Sequence, residues 1–470
     1  MRRESATSPS RETSRRATVG VFALALALRL AVVAWAASRI PPTADGTFYQ
    51  TVAERIARGL GYTWLWPDGA VTYAAHYPVG YPALLGAAYA VFGASAAVAM
   101  SLQALLGALA AAAVHRLLAR HGRAALIGGL LVAVHPGLVA YTPAMMTEGV
   151  AASLVLCATF AASRARHYAG TRSRDRIAAL LATGVLAGLA VLVRPQLLVL
   201  APVLGLVAAA PRRRPRAATA ALITGLALVT CAPWTLRNCA RMNRCALVSV
   251  NGGWNLLLGT NPEARGGWAP LEVPAECRTV FDEAGKDTCF GEAARVAIAG
   301  DPVAWLRLMP GKWRATFDYC GAAGWYLHQA NPLAFDHRDK LALGITETAF
   351  ERVMLVMAML GTAGAHRPRG RLRARLDAAS LFGGLGLALS PWGHLAHLVL
   401  TLRLAAVAST YRFDPLRTMS AALLASTFVI HGVFFGGGRY QLPLLPFVAA
   451  VGALARLPWV FRFRRHAATA

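Results

Sequence analysis

The sequence predicts an all-α polytopic membrane protein, a bundle of about 12 transmembrane helices with two long extracytoplasmic segments. Three observations predict it. Of 470 residues 56% are hydrophobic and only 15% charged, which is too apolar for a water-solvated chain of this length. Apolar runs recur at the length that hydrocarbon demands, roughly 20 residues per helix. Short arginine clusters alternate with those runs.

The expected spans lie near residues 19–38, 94–115, 124–141, 145–163, 177–193, 196–210, 217–234, 345–364, 378–391, 393–409, 418–435 and 441–459, several of them short or abutting a proline. The net charge of +26 would suit nucleic acid only if it formed one concentrated basic face. Instead it is dispersed between apolar runs: Arg2, Arg3, Arg11, Arg15 and Arg16 precede the first span, Arg116, Arg120 and Arg123 follow the second, and Arg164, Arg166, Arg172, Arg174 and Arg176 follow the fourth. Arg212, Arg213, Arg214 and Arg216, then Arg367, Arg369, Arg371, Arg373 and Arg375, then Arg403, Arg412 and Arg417, then Arg462, Arg464 and Arg465 continue the pattern. With these spans all clusters fall on one side, which the positive-inside rule makes the cytoplasm. Both termini are then cytoplasmic, and no nucleic-acid partner is expected.

The amino terminus reads as a retained first helix, because its charged stretch precedes a full-length apolar run without a clear small-residue cleavage site. Residues 1–18 form a cytoplasmic terminus, expected to be disordered where serine-rich. Residues 19–234 form an N-terminal transmembrane module with an outer loop at 39–93, residues 235–346 an extracytoplasmic subdomain, and 347–470 the C-terminal helices and cytoplasmic tail. Within the outer loop, Thr47 to Arg58 fits a short interfacial helix, and Pro82 to Phe92 a second. The acids, glycines and prolines of the subdomain mark it as water-exposed. Cys157 and Cys231 fall in spans, whereas Cys239, Cys245, Cys277, Cys289 and Cys320 fall in that subdomain. Spacings of six and twelve residues suit disulfides Cys239 to Cys245 and Cys277 to Cys289 in an oxidising compartment, with free thiols as the alternative.

The most informative polar group is Asp45, directly outside the first span in Thr43-Ala44-Asp45-Gly46-Thr47-Phe48-Tyr49. A carboxylate held at a bilayer surface can meet a lipid-linked substrate at headgroup level. The structural alternative is a cap for the helix near Thr47. Glu148, near the outer end of the fourth span, is a costly intramembrane acid, with helix-dipole compensation as its alternative. Arg194, Arg237 and Arg439 end or precede spans on the same side, where a guanidinium suits bidentate phosphate binding and equally suits snorkelling. Tyr49, Tyr81, Tyr440 and His76 are candidate substrate contacts, although tyrosine belts are ordinary at membrane surfaces. Asn251 to Asn255 is a turn carrying Trp254, and Arg29 sits near the centre of the first span without an evident partner.

The succession Asp45...Tyr49...Ala53...Gly59-Leu60-Gly61-Tyr62, Pro78-Val79-Gly80-Tyr81-Pro82, Thr147-Glu148, Gly188 to Pro195, Pro233-Trp234-Thr235-Leu236-Arg237-Asn238 and Gly438-Arg439-Tyr440-Gln441-Leu442-Pro443 resembles the bacterial branch of glycosyltransferase family 39. These are GT-C fold enzymes related to the protein O-mannosyltransferases and the aminoarabinose lipid A transferases. The resemblance implies transfer of a hexosyl or pentosyl group from a polyprenyl-phosphate donor to a lipid, glycan or protein hydroxyl, with inversion, at the outer face of the bacterial cytoplasmic membrane. A glycosyl phosphate already carries a good leaving group, so the reaction needs a base for the acceptor and cations for the phosphate. Asp45 is the expected base, Glu148 the second acid, and Arg194, Arg439, Arg237 and Tyr440 the expected phosphate contacts. Gly46 stands where many members carry another acid, which weighs against a metal or paired-acid site there; no cofactor is required and a divalent metal is left open. The rival class is a transporter or flippase of lipid-linked sugars, which would concentrate polar groups in broken helices at mid-membrane.

Overall fold

The computed structural model describes residues 11–169, 173–209, 214–363, 370–410 and 414–455. Of the basic clusters, Arg2, Arg3, Arg172, Arg212, Arg213, Arg367, Arg369, Arg412, Arg462, Arg464 and Arg465 lie outside them, as do residues 1–10 of the serine-rich terminus.

Apart from one small hairpin, the regular structure of the described residues is helical. In order it forms α1 (Arg11–Ala36), α2 (Asp45–Ala57), β1 (Thr63–Leu65), β2 (Val71–Tyr73), α3 (Gly80–Phe92), α4 (Ala96–Leu117), α5 (Arg123–Ala133), α6 (Pro136–Ala140), α7 (Glu148–His167), α8 (Arg174–Val193), α9 (Ala201–Ala208) and α10 (Arg214–Arg241). Then follow α11 (Gly252–Leu258), α12 (Glu283–Gly300), α13 (Pro302–Phe317), α14 (Ala322–Ala330), α15 (His337–Thr362), α16 (Arg371–Ala388), α17 (Gly393–Thr410), α18 (Pro415–Val433) and α19 (Leu445–Gly452). Each expected span overlaps a helix or a broken helix over its described residues, with residues 210, 364 and 456–459 of those spans lying outside them. Among the described residues, five helices are long and apolar enough to cross a membrane: Glu12–Ala36, Ala96–Leu117, Arg174–Val193, Arg216–Arg241 and Pro415–Val433.

Two local readings change. Residues 11–18, expected in a disordered terminus, already belong to α1, which runs into the apolar span without a break. The antiparallel hairpin, with Trp64 opposite Thr72, adds strand structure to a class read as all-α. Three-residue strands leave too short an alternation to register as a pattern.

Along α4 most inward positions are small, which lets membrane helices approach closely. In α4, Ala99, Ala104, Ala108 and Ala111 are fully buried while Leu105 and Leu109 are exposed. Alanine-rich α7 sits among α4, α8 and α9; α15 packs on α19, α16 and α17. Side-chain contacts join the start of α1 to the end of α4, the turn after α4 to the end of α7, and α17 to α15 and α16. Thr18 Oγ1 lies 2.9 Å from His115 Nδ1, joining the starts of α1 and the end of α4. Arg120 lies 2.9 Å from His167 Nδ1, and Arg403 pairs with Asp377 at 3.2 Å while donating to Thr362.

One break has a visible cause and a visible repair. Pro136 interrupts the third expected span, separating α5 from α6. The buried Arg29 guanidinium donates to the Val132 carbonyl (3.2 Å), the Ala133 carbonyl (3.2 Å) and, one turn back on its own helix, Ala25 (3.1 Å). It therefore caps the last carbonyls of α5, which would otherwise lack donor partners in the apolar interior. The chain freed by the break turns back through residues 141–147 and enters α7 at Glu148.

Candidate active site

The site gathers where α7 starts and α8 ends, opposite the helix ends that carry Arg164 and Arg166, and Arg174 and Arg176. Asp45 occupies the first turn of α2, two residues earlier than the expected helix start. Its side chain does not cap that helix. Oδ1 accepts from the Tyr77 hydroxyl at 2.9 Å, and Oδ2 accepts from Arg439 Nη1 at 2.9 Å. The preceding residue, Ala44, has a positive φ of 50°, a conformation that costs a non-glycine residue roughly 1–3 kcal/mol and that tertiary contacts must hold.

Glu148 opens α7 and is buried. Oε1 accepts from Arg194 Nη1 at 2.8 Å and lies 3.7 Å from Arg439 Nε, while Oε2 accepts from the Tyr141 hydroxyl at 3.3 Å. Arg194 also donates to Thr147 Oγ1 at 3.3 Å. Arg439 thus stands between the two acids. Both guanidiniums lie over the Tyr440 ring, at 5.4 Å for Arg194 and 5.2 Å for Arg439, and His431 stacks on that ring at 4.1 Å. The result is a network of two carboxylates and two guanidiniums around one aromatic ring, with the formal charges balanced.

Electrostatics follow from this pairing. Burial works against ionising Asp45, but the Arg439 charge and the hydrogen bonds from Tyr77 and Arg439 outweigh it and hold the carboxyl below its usual range. Burial, with Asp45 adding to it, pushes the Tyr77 hydroxyl well above its ordinary value, so it stays a donor. Burial lowers the His76 imidazole, leaving it neutral.

A phenol ties the two acid-bearing segments together. Tyr326 Oη of α14 accepts from Thr43 N–H and Met145 N–H, each at 3.3 Å. A Cβ at Gly46 would meet that hydroxyl at 2.9 Å and the Met145 carbonyl at 3.1 Å. Glycine is therefore required by space, which accounts for the departure at this position.

Of the expected residues, Asp45, Glu148, Arg194, Arg439 and Tyr440 come together. Arg237 does not join them. Its Nη1 donates to the Ala74 carbonyl (2.9 Å) and its Nη2 to the Tyr62 carbonyl (2.8 Å), with Trp234 and Tyr73 against the guanidinium. Nη1 also donates to Asn238 Oδ1 (3.1 Å), so Arg237 stands apart from the two acids, held by backbone carbonyls and by its sequence neighbour. Tyr49 and Tyr81 are buried in an edge-to-face aromatic cluster with Tyr77, at 5.2 Å from Tyr49 to Tyr77 and 5.3 Å from Tyr49 to Tyr81. They back the site from the core. His76 sits edge-on to Tyr77 and Trp254. Sequence reasoning missed Tyr77, Tyr141, Tyr326 and His431, of which Tyr77 alone stands directly beside a quoted motif, Pro78 to Pro82. Among the described residues, no group of three or more His, Cys, Asp or Glu side chains could hold a metal ion. Disulfides Cys239–Cys245 and Cys277–Cys289 are both formed, as expected, and Cys157, Cys231 and Cys320 are free.

No curated protein matches the chain. The chain is similar in structure to the oligosaccharyltransferase of Archaeoglobus fulgidus, solved with a tethered acceptor peptide containing the NVT sequon (TM-score 0.49, 16% identity, covering 95% of this chain and 49% of that one). A second structure of that enzyme, with zinc and sulfate, gives a TM-score of 0.48 at 17% identity, covering 93% and 48%. It is also similar to ArnT from Cupriavidus metallidurans bound to undecaprenyl phosphate (TM-score 0.41, 14% identity, covering 92% and 77%). The chain spans about half the length of the oligosaccharyltransferase chains it matches. Residues 76–236, which include Tyr77, Glu148 and Arg194, match the dolichyl-phosphate-mannose-protein mannosyltransferase family, in agreement with the resemblance its motifs carry.

Proposed function

We propose that this protein is a membrane glycosyltransferase that moves a sugar from a polyprenyl-phosphate donor to an acceptor hydroxyl at the outer face of the bacterial cytoplasmic membrane, with inversion. In this reading all twelve expected spans cross the bilayer and both termini are cytoplasmic. The observation that carries it is Arg439 bridging Asp45 and Glu148. It brings together, from opposite ends of the chain, a base and the cations that a glycosyl phosphate requires.

The donor phosphate binds against Arg439 and Arg194, whose guanidiniums have five N–H donors each and remain charged at any working pH. Asp45 accepts the proton of the acceptor hydroxyl as its oxygen attacks the anomeric carbon from the face opposite the phosphate. The anomeric C–O bond breaks, and its electron pair leaves with the polyprenyl phosphate, which gains one negative charge. That charge competes with Asp45 for Arg439. The carboxylate thus loses part of its counter-ion as the proton reaches it, which matches its basicity to the moment of transfer. Glu148 keeps Arg194 and Arg439 in register. The matched family region supports a dolichyl- or polyprenyl-phosphate class of donor.

The testing experiment presents purified protein in lipid nanodiscs with labelled polyprenyl-phosphate sugars and membrane extract. A new glycoside, with equimolar release of polyprenyl phosphate, is the expected result. Movement of donor across proteoliposome membranes without any glycoside would overturn the proposal in favour of a transporter.

A further inference from the structure

We infer that Glu283, in the extracytoplasmic subdomain, is a positioning residue for this site, acting through the backbone of Ala75 to Tyr77; the inference rests on the glycosyl-transfer reading above. Glu283 opens α12, whose start is capped separately by Asp282 accepting from Gly285 N–H at 2.6 Å. Its own carboxylate is therefore available elsewhere. Oε2 accepts from Ala75 N–H at 2.6 Å and from His76 N–H at 3.0 Å, across more than two hundred residues of sequence.

The segment it grips has its backbone groups engaged in turn. Ala74 N–H donates to the Tyr62 carbonyl (3.3 Å), and the Ala74 carbonyl accepts from Arg237 (2.9 Å). The Ala75 carbonyl accepts from Val250 N–H (2.9 Å), and the Tyr77 carbonyl accepts from the Tyr62 hydroxyl (2.8 Å). Among the described residues, Glu283 alone supplies a charged acceptor to this clasp, and charge-assisted bonds are its strongest kind. Tyr77, the next residue, places its hydroxyl on Asp45. The path from Glu283 to the reacting carboxylate is thus two backbone N–H groups, one residue and one phenol. This also gives the subdomain a part in the chemistry beyond covering the membrane module, and it gives Arg237 its work.

The test compares sugar transfer by wild type, Glu283→Ala, Glu283→Gln, Tyr77→Phe and the Glu283→Ala/Tyr77→Phe double variant, each as full-length protein in nanodiscs. Misplacing a reacting group by about 1 Å costs on the order of a hundredfold, so Glu283→Ala is expected to lower kcat by roughly ten- to a hundredfold with the donor KM little changed. Glu283→Gln retains an acceptor oxygen and restores most of the rate. Tyr77 holds Asp45 ionised, so its loss moves the acid limb of the pH profile upward. Glu283→Ala moves the limb the same way, and adds nothing in the Tyr77→Phe background. The groups facing Asp45 are Arg439, Tyr77, His76, Tyr49 and Tyr326, and those facing Glu283 are Arg237 and Tyr62; the variants alter none of the others. Glu283→Asp keeps the charge and is one methylene too short to reach both N–H groups, so it carries the same expectation if the alanine protein does not fold. A wild-type acid limb in Glu283→Ala or Glu283→Asp, or losses that add to those of Tyr77→Phe, would overturn the inference while leaving the transferase reading intact. Absence of transfer by wild type would overturn that reading, and the inference with it.

Discussion

Arg439 Nη1 lies 2.9 Å from Asp45 Oδ2 although 394 residues separate them in sequence. The contact closes one end of the bundle, joining the last turn before α19 to the first turn of α2. It also sets the protonation state of the carboxylate proposed as base. Burial alone would raise that group, and the cation with the Tyr77 bond reverses the sign.

A pH dependence follows. A carboxyl lowered by folding contributes stability that is fully present above its unfolded value and is lost as pH falls through its folded value. Asp45 therefore stays ionised through the mildly acidic range, and transfer persists there. Replacing Arg439 by glutamine shifts the acid limb of the pH profile toward neutrality, and lowers kcat by roughly 10²–10³ through loss of a phosphate donor. A pH series on labelled-sugar transfer checks both effects separately.

The Glu148–Arg194 pair behaves as a buried pair, with side chains 2% and 12% exposed. Removing one member strands a charge at a cost of roughly 3–5 kcal/mol. Glu148→Ala is expected to lower thermal stability by that order, and Glu148→Ala with Arg194→Met by much less than the two single losses combined. Unfolding midpoints in one detergent give the comparison.

Arg29 should matter without touching the site. Arg29→Met leaves the Val132 and Ala133 carbonyls unpaired, each costing roughly 1–3 kcal/mol, and loosens the break that delivers the chain to Glu148. Lower stability together with reduced transfer is expected, with Arg29→Lys intermediate. Unchanged stability would mean that the α5 carbonyls find other partners.

Gly46 and Tyr326 should be coupled. A methyl at Gly46 overpacks against the Tyr326 hydroxyl, at roughly 1–3 kcal/mol, and displaces Asp45. Tyr326→Phe removes both the obstacle and the acceptor for Thr43 and Met145 N–H. Gly46→Ala is then expected to cost less in the Tyr326→Phe background than in wild type, as a double-mutant cycle on stability and transfer would measure.

Much of this was legible from residues 43–49, 147–148, 188–195 and 438–443, because membrane crossings force apolar length and the motif order places Asp45, Glu148, Arg194 and Arg439 at one end. The disulfide spacings were equally readable. The remainder depends on partners that sequence does not pair. Arg237 reads as a free cation until its carbonyl acceptors at Tyr62 and Ala74 are known, and Arg29 reads as unpartnered because it satisfies backbone. Tyr77 and Tyr326 were hidden for a related reason: tyrosines are ordinary at a membrane surface, and their function lies in which atom each hydroxyl meets. The α2 boundary moved because Asp45 looks like a cap, yet its side chain is committed to Tyr77 and Arg439.

The most direct measurement of the central claim is single-turnover transfer from a labelled polyprenyl-phosphate sugar by wild type and by Asp45→Asn, at equal donor binding. The account predicts that wild type forms a glycoside of inverted configuration and that Asp45→Asn, folded and still binding donor, forms it at least about a thousandfold more slowly, near the upper part of the range for loss of a general base. Equal rates from the two proteins would contradict it.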